Sequence, residues 1–89
     1  MPLDETTFDE GLLERLVDFL VEEEGVVRSE ITLDTALYSG GIIESMSMVR
    51  LSALIEDETG LTIPDRDLEV ANFDTLRRIR AYLMDRVRT

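Results

Sequence analysis

The sequence has no cysteine and no histidine, and none of its nine basic residues is a lysine. Without cysteine there can be no disulfide framework, no thiolate nucleophile and no thiolate metal site. Without histidine the commonest general base and metal ligand is missing, and without lysine so is Schiff-base chemistry. Also missing are a basic segment followed by an apolar core at the start, and any apolar run near the roughly eighteen residues that a membrane span needs. Membrane insertion is therefore not expected, and the expected location is the cytoplasm. With 89 residues the chain reads as one domain, 1–89, able to bury only about 60% of its unfolded surface. A deep substrate cleft with its own lid does not fit in it, and the chain is read as no enzyme.

What the sequence does have is acid. Twenty acidic residues against nine arginines give a formal charge of −11, which excludes the basic footprint that nucleic acid or an anionic membrane requires. It points instead to partners with basic docking surfaces. The charge is uneven: residues 1–24 carry nine acids and only Arg15, whereas residues 70–89 carry five arginines and two acids. The expectation is that the arginine-rich tail pairs with acidic helices of the same fold.

Periodicity and punctuation predict an all-α chain, a small four-helix bundle of three main helices and a short third one. The helices are expected at about 7–24, 45–58, 65–71 and 75–87. Thr7 and Glu10 have capping-box spacing, and Phe8, Leu12, Leu16, Phe19 and Leu20 make one stripe up to Gly25. The acids Glu22 to Glu24 oppose the dipole of that helix and suggest an exposed edge with another use. From Val26 to Glu44 runs a long loop, expected to be ordered by Val26, Val27, Ile31, Leu33, Leu37, Ile42 and Ile43, with one helical turn at Asp34–Leu37. Gly40-Gly41 permits positive φ or close backbone approach just before the second helix. Asp65 is a cap for the short helix, and Asp74 or Thr75 for the last, whose stripe is Leu76, Ile79, Leu83 and Val87.

The second helix is the most informative. At 100° per residue, Met48, Leu54 and Ile55 fall within about 60° of Leu51, a core stripe of ordinary width. Nearly opposite lie Met46, Val49 and Ala53, flanked by Ser45 and Glu56 on one side and by Arg50 and Asp57 on the other. Such a strip either covers the short third helix or docks a partner. Asp65, Asp67 and Glu69 begin like a calcium loop, but Val70 and Leu76 stand where its glycine and bidentate glutamate belong. Glu56, Asp57 and Glu58 point in different directions and read as a solvated face. Taken alone, Ser45 reads as a helix N-cap.

The run "LYSGGIIESMSMVRLSALIEDETG" from Leu37 to Gly60 resembles the core of the acyl carrier protein family, the phosphopantetheine-attachment or thiolation domain. "TIPDRDLEVANFDTLRRIRAYL" from Thr62 is similar to that family's third and fourth helices. The resemblance covers Phe8 to Leu83. It implies that Ser45 accepts 4′-phosphopantetheine from coenzyme A, transferred by a separate magnesium-dependent phosphopantetheinyl transferase. The arm would then carry an acyl or aminoacyl group as a thioester, loaded by an acyl- or aminoacyl-activating ligase and passed to downstream acyl-transfer enzymes. It also implies that Met46, Val49 and Ala53 are the partner-docking strip, with Glu44, Arg50, Glu56 and Asp57 around it.

Two departures bear on the subfamily. Glu44 stands where the family usually has aspartate. Ser47, Met48 and Arg50 interrupt the acids that fatty-acid carriers bear early in this helix, and a cation there would repel basic partners. "GIIESMSMVRL" is similar to stand-alone carriers of D-alanine, other amino acids or secondary-metabolism units. The alternatives are a fatty-acid or polyketide carrier, and a helical adaptor that is never modified. The arm of a short polar cargo is expected to stay outside the core, and the chain is expected to be a monomer.

Overall fold

A computed structural model of the chain describes residues 11–88, with side chains for 11–86. Thr7, Phe8 and Glu10, with the expected capping box, lie outside the described residues, as does the side chain of Val87. Among the described residues there are four α-helices, α1 Leu13–Glu24, α2 Ser45–Thr59, α3 Val70–Phe73 and α4 Leu76–Arg88, and two 3₁₀ turns, Arg28–Glu30 and Asp65–Asp67. No strand occurs among the described residues, and no helix among them is long and apolar enough to cross a membrane.

The core follows the apolar stripes. Leu12, Leu16 and Leu20 come from the α1 side, Met48, Leu51 and Ile55 from α2, and Leu76, Ile79 and Leu83 from α4, all buried. Phe73 from α3 is fully buried and meets the Tyr82 ring at 5.3 Å. Each such large side chain contributes about 1.5–3 kcal/mol over its exposed state. Gly25 and Gly60 end α1 and α2 in the left-handed conformation, donating to Leu20 and Glu56 carbonyls.

Several local expectations are corrected. Ser45 is the first residue of α2 rather than its N-cap, since Glu44 takes the extended cap conformation without a side-chain capping bond. The short helix expected at 65–71 is split. Asp65 starts a 3₁₀ turn rather than capping a helix, and extended backbone at Glu69 separates that turn from α3. Of the two caps proposed for α4, Thr75 is the one used: its Oγ1 accepts the Arg78 amide at 3.0 Å.

The loop of residues 25–44 is anchored chiefly by Leu37 and Ile43, which are buried, and by Val26, Ile31 and Ile42, which are half-buried. Val27 and Leu33 have exposed side chains, and Leu33 holds the loop through its carbonyl instead, which accepts the Arg77 amide at 3.0 Å. Instead of a turn at 34–37, the chain turns at Tyr38–Gly41, where the Gly41 amide donates to the Tyr38 carbonyl at 3.1 Å. Here the glycine pair is required. Gly41 has φ +79°, and a Cβ on Gly40 would lie 2.2 Å from the Ala36 carbonyl oxygen.

Two arginines of the tail, Arg77 and Arg86, reach the connections between helices. Arg77 grips Asp34 through two bonds of 2.8 and 3.1 Å, and Arg86 reaches Asp67, the Tyr82 hydroxyl and the Thr62 carbonyl. It is Arg15, Arg28 and Arg50 that meet helix acids, at Glu58, at Glu14 and Asp18, and at Glu23 respectively.

Candidate functional site at the start of the second helix

Two serines near the start of α2 offer a hydroxyl, and the fold separates them. Ser45 is exposed, whereas Ser47, two residues on and turned toward the core, is 6% exposed. Because Glu44 makes no side-chain cap, the leading amides of α2 remain for solvent or for an anion. The positive end of the helix dipole adds to that preference. A serine hydroxyl held here is placed to carry a phosphoryl group.

Beside Ser45 opens a groove of about 510 Å³, lined by Tyr38, Met48 and Val49 on one side and by Leu68, Val70, Asp65 and Glu69 on the other. It therefore runs between the first turns of α2 and the segment from the second 3₁₀ turn into α3. Its lining is apolar with two carboxylates at the rim. Tyr38, Leu68 and Val70 were not foreseen as site residues. Tyr38 and Leu68 lie in irregular segments and Val70 opens a helix of four residues, all too short for periodicity to carry a signal, and the approach of loop and α3 brings them to Ser45.

The second apolar strip of α2 is on the surface. Met46 is 67% exposed, Val49 50%, and Ala53 is exposed as well. Val49 shares its exposure with the groove lining, so it does not cover α3. Around this strip Glu44 and Asp57 are exposed. Arg50 is exposed but answered by Glu23 at 3.3 Å across to α1, which gives the acidic end of α1 a use and offsets the cation beside the strip. Glu56 departs from the expectation: it is half-buried, and its carboxylate accepts the amide of buried Ile63 at 2.7 Å. Its role is to hold the chain after α2.

The loop leading to Ser45 is tied to the far end of the molecule. Asp74, between α3 and α4, accepts the amides of Tyr38 and Ser39 at 3.0 and 2.7 Å and the Ser39 hydroxyl at 2.7 Å. The bond from the Ser39 amide, against the opposing effect of burial and aided by the Ser39 hydroxyl, the Tyr38 amide and Arg78, holds its carboxyl below the usual aspartate range. No three carboxylates among the described residues gather as a metal site.

Comparison with known proteins accords with this geometry. The family model described as phosphopantetheine attachment site matches residues 14–83. An acyl carrier protein of Rhodococcus erythropolis is 34% identical over 83% of the chain and 79% of its own length. A meromycolate extension acyl carrier protein of Mycolicibacterium smegmatis is 32% identical over 83% of the chain and 73% of its own length. The lincomycin biosynthesis protein LmbN of Streptomyces lincolnensis is 42% identical over 60% of the chain, which spans 19% of that protein.

Proposed function

The chain belongs to the phosphopantetheine-attachment family of acyl carrier proteins, and on that premise we propose that Ser45 is the residue that bears its 4′-phosphopantetheine. Family membership makes the chain a carrier rather than a catalyst, served by a phosphopantetheinyl transferase and by acyl-handling enzymes. The single observation that carries the site is the contrast between an exposed Ser45 at the free end of α2 and a buried Ser47.

The chemistry asked of this chain is modest. In the transfer the Ser45 oxygen would form an ester bond to phosphorus as the pyrophosphate link of coenzyme A breaks, with adenosine 3′,5′-bisphosphate as the leaving group and the hydroxyl proton passing to the transferase. The α2 amides and dipole then face a permanent phosphodiester anion. When attached, the group supplies a terminal thiol on which an acyl or aminoacyl unit is held as a thioester. A chain without cysteine has no thiol of its own to compete for that unit. Met46, Val49 and Ala53 present the apolar patch to partner enzymes, and Glu44, Arg50 and Asp57 rim it.

The cargo we favour is a short polar or aminoacyl unit supplied by a stand-alone activating ligase. Its support is the break in the acidic run of α2 at Ser47, Met48 and Arg50, moderated by the Arg50–Glu23 pair. A longer acyl chain is the second reading, favoured by the apolar groove beside Ser45. Incubation with coenzyme A and a broad-specificity transferase tests the site by intact mass: the wild type should gain one phosphopantetheine and Ser45→Ala none. Competition between amino-acid ligases and fatty-acyl ligases for the modified protein then separates the two cargo readings.

A further inference from the structure

We propose that Asp74 is a positioning residue for Ser45, acting as a latch that fixes the loop from which α2 springs; the inference rests on Ser45 being the attachment point. Asp74 is 6% exposed, and its carboxylate is not the cap of α4, since Thr75 takes the Arg78 amide there. A carboxylate so enclosed is costly unless its oxygens are satisfied. Both of its oxygens accept hydrogen bonds from one place, the turn at Tyr38 and Ser39, some 35 residues earlier in the chain.

From there the restraint passes through backbone alone. The Asp74 carbonyl accepts the Leu37 amide at 2.7 Å, and the Leu37 carbonyl accepts the amides of Ile42 and Ile43 at 2.9 and 3.0 Å. Ile43 is buried, and the next residue, Glu44, opens α2 by accepting the Met48 amide at 2.9 Å. The side chains in this relay are the Asp74 carboxylate and the Ser39 hydroxyl that it holds. Tyr38, held directly by the latch, is also a wall of the groove beside Ser45. The junction of α3 and α4 thus sets both the position of the acceptor serine and the shape of the space next to it.

Loss of the latch leaves the Tyr38 and Ser39 amides without their acceptor and lets the loop sample other conformations. A partner that needs one of them then meets a smaller competent fraction, which raises its apparent dissociation constant in proportion. Asparagine at this position keeps an oxygen for the two amides, and its NH₂ can donate to the Ser39 hydroxyl. The test is transferase kinetics with coenzyme A on the intact chain. Asp74→Ala should raise KM for the carrier ~tenfold with kcat little changed, Asp74→Asn should restore most of the wild-type KM, and Ile79→Val, a core change that leaves the Asp74 bonds in place, should leave KM unaltered.

Amide hydrogen exchange supplies a readout that needs no transferase. Asp74→Ala should speed exchange at Tyr38, Ile42 and Ile43 while Leu20 and Leu83 keep their protection. A wild-type KM in Asp74→Ala, an equal rise in Ile79→Val, or unchanged exchange in the loop overturns the latch. If the wild type itself is not modified, it is the assignment of Ser45 that fails, and exchange alone then decides whether the latch exists.

Discussion

Replacing Gly40 by alanine probes how tightly the loop before Ser45 is built. The added Cβ would stand 2.2 Å from the Ala36 carbonyl oxygen, against the 3.0 Å that real Cβ atoms essentially never undercut, and 3.2 Å from the Ala36 carbonyl carbon and Cβ. The obstacle is backbone, so no side chain can rotate away. Ala36 precedes fully buried Leu37, whose carbonyl holds Ile42 and Ile43; either the turn opens or Leu37 leaves its seat. Overpacking of this kind costs about 1–3 kcal/mol. In a domain of this size each kcal/mol lowers the melting temperature by about 4–8 °C, so a loss of about 5–20 °C is expected by circular dichroism. Gly41→Ala is the comparison: its Cβ meets nothing within 4 Å, but φ is +79°, a conformation that costs other residues about 1–2 kcal/mol. Both variants should accept phosphopantetheine more slowly than the wild type. An unchanged melting temperature for Gly40→Ala would refute the reasoning that close backbone approach, rather than flexibility, is why glycine stands there.

Other outcomes follow from the same coordinates. Glu56→Ala strips the buried Ile63 amide of its acceptor and should cost about 1–3 kcal/mol in urea unfolding, most of it recovered in Glu56→Gln; equal stability of Ala and Gln variants would show that the bond is worth nothing. Met46→Glu and Val49→Glu change exposed positions and should alter stability by no more than about 0.5 kcal/mol, yet weaken capture by the transferase and ligase; intact partner affinity would remove the docking role. Asp74 has a folded pKa below its unfolded value near 3.9. Its contribution is therefore present above that value and lost as pH falls through the folded pKa. The stability gap between the wild type and Asp74→Asn should be constant from pH 7 to about pH 5 and shrink below about pH 4; a gap that persists at low pH contradicts it.

What could be read from the sequence was what periodicity encodes. Of the α2 core stripe Met48, Leu51 and Ile55 are buried and Leu54 is half-buried, and the opposite strip at Met46, Val49 and Ala53 is exposed, because both depend only on 100° per residue. Ser45 at the helix start was legible for the same reason. The irregular backbone was not. Glu44 rather than Ser45 takes the cap, and extended backbone at Glu69 splits the expected short helix. Neither is written in side-chain spacing. Long-range bonds were equally hidden: Glu56 looked like one acid in a solvated cluster until the chain returned to give it Ile63. Asp74 looked like a helix cap because aspartate before a helix usually is one. Only the turn at Tyr38 and Ser39, far away in sequence, shows what its carboxylate does. Arg50, which looked like an unanswered cation on the docking face, is balanced by the acidic end of α1.

The central claim is that the arm is attached at Ser45 and nowhere else, and peptide mass spectrometry of the modified protein tests it most directly. Trypsin cleaves after Arg28 and Arg50, releasing residues 29–50 with Ser29, Ser39, Ser45 and Ser47 together. Fragmentation of that peptide should place the whole added mass on Ser45. Mass on Ser39 or Ser47, or an unmodified peptide after exposure to several transferases, would contradict the account.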